Sequence, residues 1–149
     1  MSEHQAIVSW ERRSIDFSYD SYPRDHSWDF GHGLRVEASA APDFHGDPAK
    51  VDPERALVAA VSSCHMLTFL AIAARRRLVV DSYTDSAVGY LEKNDAGKLC
   101  ITRVALHPEI VFAGDTAPSA SELDKLHHLA HENCFIANSV RAAVSVEKR

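Results

Sequence analysis

The longest apolar stretch of the chain runs from Val51 to Arg77, VDPERALVAAVSSCHMLTFLAIAARRR, and carries no charged side chain between Ala56 and Ala74. It reads as one helix, because Asp52 can cap the free N–H groups at its start and Pro53 suits the first turn. Apolar residues occupy every face, so such a helix must be covered on all sides. The uncharged run approaches a membrane span in length, but Ser62, Ser63, His65 and Thr68 crowd its middle and no other segment resembles a span. A buried helix without membrane contact is the expectation. One domain with short strands would struggle to cover it, and a partner subunit is the simplest cover.

Elsewhere the pattern shortens. AIVSWER, SIDFSYD and HSWDFGHGLRVEAS alternate as antiparallel strands do, with Gly31 and Gly33 suited to a tight turn. ASAAPDFHGDPAKVDP is expected to be an ordered connection. DSYTDSAVGYLEK and KLCITRVALHPEIVFAG predict a hairpin closed by NDAG. SASELDKLHHLAHENC predicts a second helix, opened by Ser119 and Glu122 at capping-box spacing. In SVRAAVSVEK, Val140, Ala142, Val144 and Val146 share one face of a strand. The sum is a single α+β domain spanning residues 1–149.

Composition sharpens this. An apolar content of 46% supports a substantial core, and a net charge of −5 with mixed signs offers no basic stripe for nucleic acid, which leaves small molecules as partners. The start, MSEHQAIVSWERR, lacks the basic and apolar regions of a secretory signal, so a cytoplasmic location with reduced thiols is expected. Cys64, Cys100 and Cys134 form no CxxC pair, which argues against a disulfide framework and a zinc ribbon.

Cys64 lies mid-helix, where the helix dipole gives little activation. A free cysteine there is commonly a small buried hydrophobe. To react, it needs a cation brought by another segment and a second thiol to resolve its oxidised form. Cys100, in the alternating LCITRV, reads as core. His65 reads either as a pocket residue assisting proton transfer or as a core histidine. A different chemistry is also open: HHLAHENC places His127, His131 and Cys134 on one helical face, where Cys64 or His65 could complete a tetrahedral metal site.

Two segments together, DPERALVAAVSSCHM and CFIANSVR, resemble the OsmC/Ohr family of thiol-dependent peroxidases, and the order of elements agrees over essentially the whole chain. The resemblance implies an intertwined α+β homodimer in which two central buried helices pack back to back, wrapped by antiparallel sheets. It implies reduction of organic hydroperoxides or hydrogen peroxide by a cysteine pair, with a dithiol reductant such as a dihydrolipoyl protein, and with neither cofactor nor metal. On it, the peroxidatic cysteine is Cys64, the resolving cysteine Cys134 and the acidic residue Glu54. The activating arginine falls on Arg24 in SYPRDHSW, with Arg12, Arg13 and Arg35 in the same region. The chain departs from the family at Phe135, where a proline usually follows the second cysteine. A non-catalytic homodimer that keeps the fold is the remaining alternative.

Helix arithmetic adds one expectation. Glu54 and Cys64 are ten residues apart, which is about 15 Å along a straight helix. A site holding both is easier to build from two chains, each supplying Cys64 and Cys134 to a site completed by Glu54 and Arg24 of its partner.

Overall fold

In a computed structural model that describes residues 1–114 and 117–147, the backbone packs as two compact units, residues 1–56 and 57–149. The first unit is built on an antiparallel sheet of β1 (Ile7–Ser9), β2 (His26–Asp29) and β3 (Arg35–Ala38), in that order. Gly31 and Gly33 close β2 onto β3 at φ values of 80° and 81°, which suit glycine best. SIDFSYD is not a strand. Its polar groups are used locally instead: Asp16 accepts hydrogen bonds from the hydroxyls of Ser18 (3.1 Å) and Ser21 (2.6 Å), and the Ser14 hydroxyl donates to the Asp16 carbonyl. Side-chain bonds of this kind compete with a strand ladder and fold the segment into turns.

The long connection before the first helix is ordered, as expected. It contains a 3-10 turn at Pro42–Phe44, and Val51 bridges to Ala38. Gly46 passes so close to Ala40 that a Cβ would lie 1.6 Å from the Ala40 carbonyl oxygen. The connection delivers the chain to α1 (Pro53–Arg75). Asp52 caps this helix: its Oδ1 accepts from the Arg55 backbone N–H at 2.8 Å while its Oδ2 holds the Arg55 side chain at 2.5 Å.

The second unit contains most of α1, then β4 (Val80–Asp85), β5 (Val88–Lys93), β6 (Leu99–Leu106), β7 (Pro108–Phe112), α2 (Ala120–Glu132) and β8 (Ala143–Val146). The NDAG hairpin joins β5 to β6, with Asn94 Oδ1 accepting from the backbones of Ala96 and Lys98. What the sequence suggests as two long strands is four shorter ones, because the chain changes sheets at Asp85 and His107. The Asp85 carboxylate accepts from the His107 backbone N–H at 2.7 Å and from the Ser62 hydroxyl, which fixes the corner. Consequently β4 pairs with β7, and β5 and β6 form a second sheet to which β8 adds in parallel. The sheets are therefore not purely antiparallel. The Ser119–Glu122 capping box opens α2 as its sequence requires.

Two apolar clusters hold this unit. Val61, Val104 and Leu106 pack with Val140, Ala142, Val144 and Val146, the alternating face of the last segment. Phe69 and Ala73 of α1 pack with Leu126 and Ala130 of α2. The buried residues of α1 thus recur every fourth position, at Val61, His65, Phe69 and Ala73. The opposite stripe, Ala60, Ser63, Leu67, Ala71 and Ala74, is exposed, with Leu67 at 60%. By length and composition α1 could cross a bilayer. Yet its centre carries buried His65, whose Nε2 lies 3.1 Å from His127 Nδ1 of α2 with the two rings stacked at 11°.

Two outcomes follow from this packing. A Cβ on Gly89 would lie 2.4 Å from Val58 Cγ2 of α1. Gly89→Ala should therefore lower the unfolding free energy in urea titrations by about 1–3 kcal/mol, with an unchanged midpoint refuting the close approach. His65 gives a pH signature: burial first, then the charges of His127 and His131, lower its pKa from 6.5 to about 4, with Asp85 opposing. The unfolded chain then binds a proton that the folded chain refuses, so stability should fall by about 3 kcal/mol as pH drops from about 6.5 to about 4. Asp52 and Glu122 are held below the ordinary carboxylate range, so the stability they lend is lost only at lower pH. Urea unfolding between pH 7 and 4 should show the slope in the wild type and lose it in His65→Leu; an equal slope in both would assign the titration elsewhere.

Candidate functional site

Each of the two units gathers two of the four site residues expected from the sequence. In the second unit, α1 presents Cys64 and the turn after α2 presents Cys134, and both are free thiols. Cys134 is fully buried, whereas Cys64 is half-buried. The two thiols are neighbours. Burial, followed by interaction with the adjacent Cys64 sulfur, pushes the Cys134 thiol above its ordinary range, while the backbone amides of Ala137 and Ile136 act in the opposite direction. The Ile136 amide lies 3.5 Å from Cys64 Sγ and the Ala137 amide 3.4 Å from Cys134 Sγ, both within reach of N–H···S bonds.

The turn forms because α2 ends at Glu132, with Asn133 as its cap. Asn138 then staples the turn, its Nδ2 donating to the carbonyls of Glu132 (2.9 Å) and Cys134 (3.0 Å). Phe135, in the place where the family pattern has proline, is 80% exposed. Cys100 stands in β6 opposite Glu92, in a strand as its alternation suggests. Cys134 falls beyond the helical face that His127 and His131 share. Among the described residues no three His, Cys, Asp or Glu side chains come together as a metal site. Of the two readings of His65, the structure places it in the core, stacked on His127 and with its Nδ1 lacking a hydrogen-bond partner.

The first unit gathers Arg24 and Glu54. Both line a cavity of about 530 Å³ whose other walls include Trp10, Phe17, Tyr22 and Phe44. Arg24 is 9% exposed. Its guanidinium lies 3.8 Å from the centre of the Tyr22 ring and 5.3 Å from that of Tyr19, and it donates to the carbonyl oxygens of Tyr22 (2.5 Å) and Tyr19. Aromatic faces attract the cation, which offsets part of its desolvation. The alternatives differ in surroundings. Arg12 is exposed and donates to the carbonyls of Ser14 and Ile15, and Arg35 makes an exposed pair with Glu37 at 3.5 Å. Arg13 is exposed and lines a different, more polar cavity together with Arg35. Of the four, Arg24 alone is buried and shares a cavity with Glu54. Among the described residues Arg24 and Glu54 form no direct ion pair, and Glu54 Oε2 is buried with no hydrogen-bond partner. A buried carboxylate oxygen left bare is costly, which marks this cavity as a place where a donor is wanted.

The sequence did not point to the amides of Ile136 and Ala137, because every non-proline residue carries one. Nor did it point to Tyr19 and Tyr22 around Arg24; their positions five and two residues before it are a weak signal that only burial makes meaningful.

A family model described as OsmC-like protein matches residues 45–148. The chain is 52% identical to an OsmC-like protein of unknown function from Vibrio cholerae, covering all of both chains with a TM-score of 0.96. It shares its fold with an organic hydroperoxide resistance protein from Elizabethkingia anophelis, at 17% identity, with 99% of this chain and 94% of that one covered and a TM-score of 0.74. The organic hydroperoxide resistance protein OhrB of Bacillus subtilis is likewise similar, at 17% identity over 99% and 98% of the two chains, with a TM-score of 0.69. No functionally curated protein matches the chain. With a family model covering more than half its length and a full-length relative sharing half its residues, the chain belongs to the OsmC-like protein family.

Proposed function

We propose that the protein is a cysteine-based peroxidase that reduces organic hydroperoxides through a Cys64 sulfenate and a Cys64–Cys134 disulfide. The observation that carries this reading is the meeting of the two thiols, a half-buried one and a buried one, with backbone donors on both sulfurs. The first suits attack on a substrate from outside and the second suits resolution from within. In the first step the Cys64 thiolate attacks the terminal peroxide oxygen, the O–O bond breaks and the alcohol leaves with a proton. Arg24 favours the thiolate by its charge and donates hydrogen bonds to the peroxide oxygens. Glu54 orients the guanidinium once the site is assembled. Cys134 then displaces the sulfenate oxygen as water, and a dithiol, for which a lipoylated protein of the cytoplasm is a fitting source, reduces the disulfide.

In the same proposal the working form is a homodimer. The exposed stripe on α1 is made of small residues and Leu67, which suits close packing against a second copy of the helix. Arg24 and Glu54 of one subunit then complete the thiol pair of the other. Nucleic acid and membrane have no part in this reading.

Cys64→Ser should eliminate hydroperoxide reduction, because a serine hydroxyl neither ionises near neutral pH nor carries a sulfenate. Cys134→Ser should consume about one equivalent of hydroperoxide per site and then stall. Stopped-flow assays of an alkyl hydroperoxide against hydrogen peroxide, with dihydrolipoamide as reductant, decide the matter, and undiminished turnover in Cys64→Ser overturns the assignment. The shared site has its own test, in heterodimers of one Cys64→Ser chain and one Glu54→Ala chain. If sites are shared, one site loses both groups and the other keeps both, so about half the wild-type activity should remain. Activity near zero would show that each site is built within one chain.

A further inference from the structure

We infer that the turn after α2 activates the resolving cysteine with its own backbone, the Ala137 and Ile136 amides forming a cradle in which the first holds Cys134 as a thiolate while it attacks oxidised Cys64 and the second holds the Cys64 sulfur in place. This rests on the peroxidase reading above and gives its backbone donors a specific part in the resolving step. Cys134 is fully buried, so no solvent stabilises its charge, and protein donors must take the place of water. The Ala137 amide, 3.4 Å from Cys134 Sγ, and the Ile136 amide, 3.5 Å from Cys64 Sγ, point at sulfur while their neighbours bond elsewhere. Asn138 N–H donates to the Cys134 carbonyl at 3.0 Å, Ser139 N–H to that of Ile136 at 3.0 Å, and the Ser139 hydroxyl to that of Phe135 at 2.7 Å. The turn is therefore closed by other groups, and the two amides are held in place before any reaction.

The arrangement sets an order of events. While Cys64 is a thiolate, its charge opposes ionisation of Cys134, adding to the effect of burial. Conversion of Cys64 to an uncharged sulfenic acid lifts that opposition and leaves the Ala137 donor in force. Cys134 then ionises and attacks Cys64 Sγ. The S–S bond forms as the S–O bond breaks, and the oxygen leaves as hydroxide, which takes up the proton shed by Cys134 to give water. The two oxidising equivalents come from the organic hydroperoxide, already released as its alcohol.

The test removes one N–H and keeps the side chain: lactic acid in place of Ala137, which makes the preceding bond an ester, in a full-length Cys100→Ser background. Ala137→Gly, which retains the N–H, is the control, and Ala137→Pro is a second variant lacking the donor. Resolution is read in two ways. After one equivalent of alkyl hydroperoxide, disulfide formation should slow roughly 10- to 100-fold in the ester variant, the range for losing a hydrogen bond to a charged group, while oxidation of Cys64 keeps its rate. Without peroxide, Cys64 is converted to the mixed disulfide with thionitrobenzoate, and attack by Cys134 releases the coloured thiolate. The same slowing is expected there, with Ala137→Gly behaving as wild type. A wild-type rate of colour release from the ester variant, in protein whose circular dichroism is unchanged, overturns the cradle. Slowed release in a protein whose Cys64 ignores hydroperoxides leaves the cradle standing and removes the peroxidase reading instead.

Discussion

Everything reactive in the second unit depends on the seam between α1 and α2. Phe69 and Ala73 on one helix meet Leu126 and Ala130 on the other, and the buried contact of His65 with His127 crosses the same seam. Apolar packing sets the distance between the helices but tolerates sliding, since one methyl group replaces another at little cost. A hydrogen bond between two ring nitrogens does not slide, because it weakens steeply with misalignment. The pair therefore fixes the longitudinal register of α2 against α1. That register decides where α2 ends, and so where Cys134 stands relative to Cys64.

The same pair explains why two histidines belong in so apolar a place. Each ring offers one nitrogen as donor and the other as acceptor when neutral, so one nitrogen of each ring is satisfied across the seam, while His65 Nδ1 stays without a partner and the His127 ring packs against Phe69. The low dielectric that keeps His65 uncharged also strengthens this bond. The first unit makes the opposite choice with Arg24, which stays charged in the interior. Its guanidinium is supported by two carbonyl oxygens and two tyrosine rings rather than by a carboxylate. Five N–H groups exceed what two carbonyls absorb.

Much of this was legible in the sequence, and the parts that were not share a cause. The uncharged run from Ala56 to Ala74, the Asp52 cap, the Ser119–Glu122 box and the alternation of Val140 to Val146 are local patterns, and the structure honours each. Local pattern failed where a side chain bonded its own backbone, as in SIDFSYD, or where a distant carboxylate turned a corner, as Asp85 does at His107. Periodicity placed His65 on a helix without saying which face would be buried. Its partner His127 lies 62 residues away, and no spacing rule reaches so far. The resemblance put the arginine at Arg24 with Arg12, Arg13 and Arg35 in the same region, and of the four Arg24 alone is buried. The family motif did what physics alone could not, selecting Cys64 and Cys134 from three cysteines whose local patterns were ambiguous.

The stapled turn from Cys134 to Ser139 has a consequence for what a redox change would look like from outside. Asn138 and Ser139 lock the backbone around thiols that are already adjacent, so closing a bond between them requires no helix to unwind and no strand to detach. Oxidised and reduced chains would present nearly the same shape to protease, antibody or partner. Under the proposed chemistry such a molecule would be suited to repeated silent turnover and poorly suited to reporting its own state, and whatever re-reduced it would have to recognise the disulfide by chemical reactivity instead of by a change in contour.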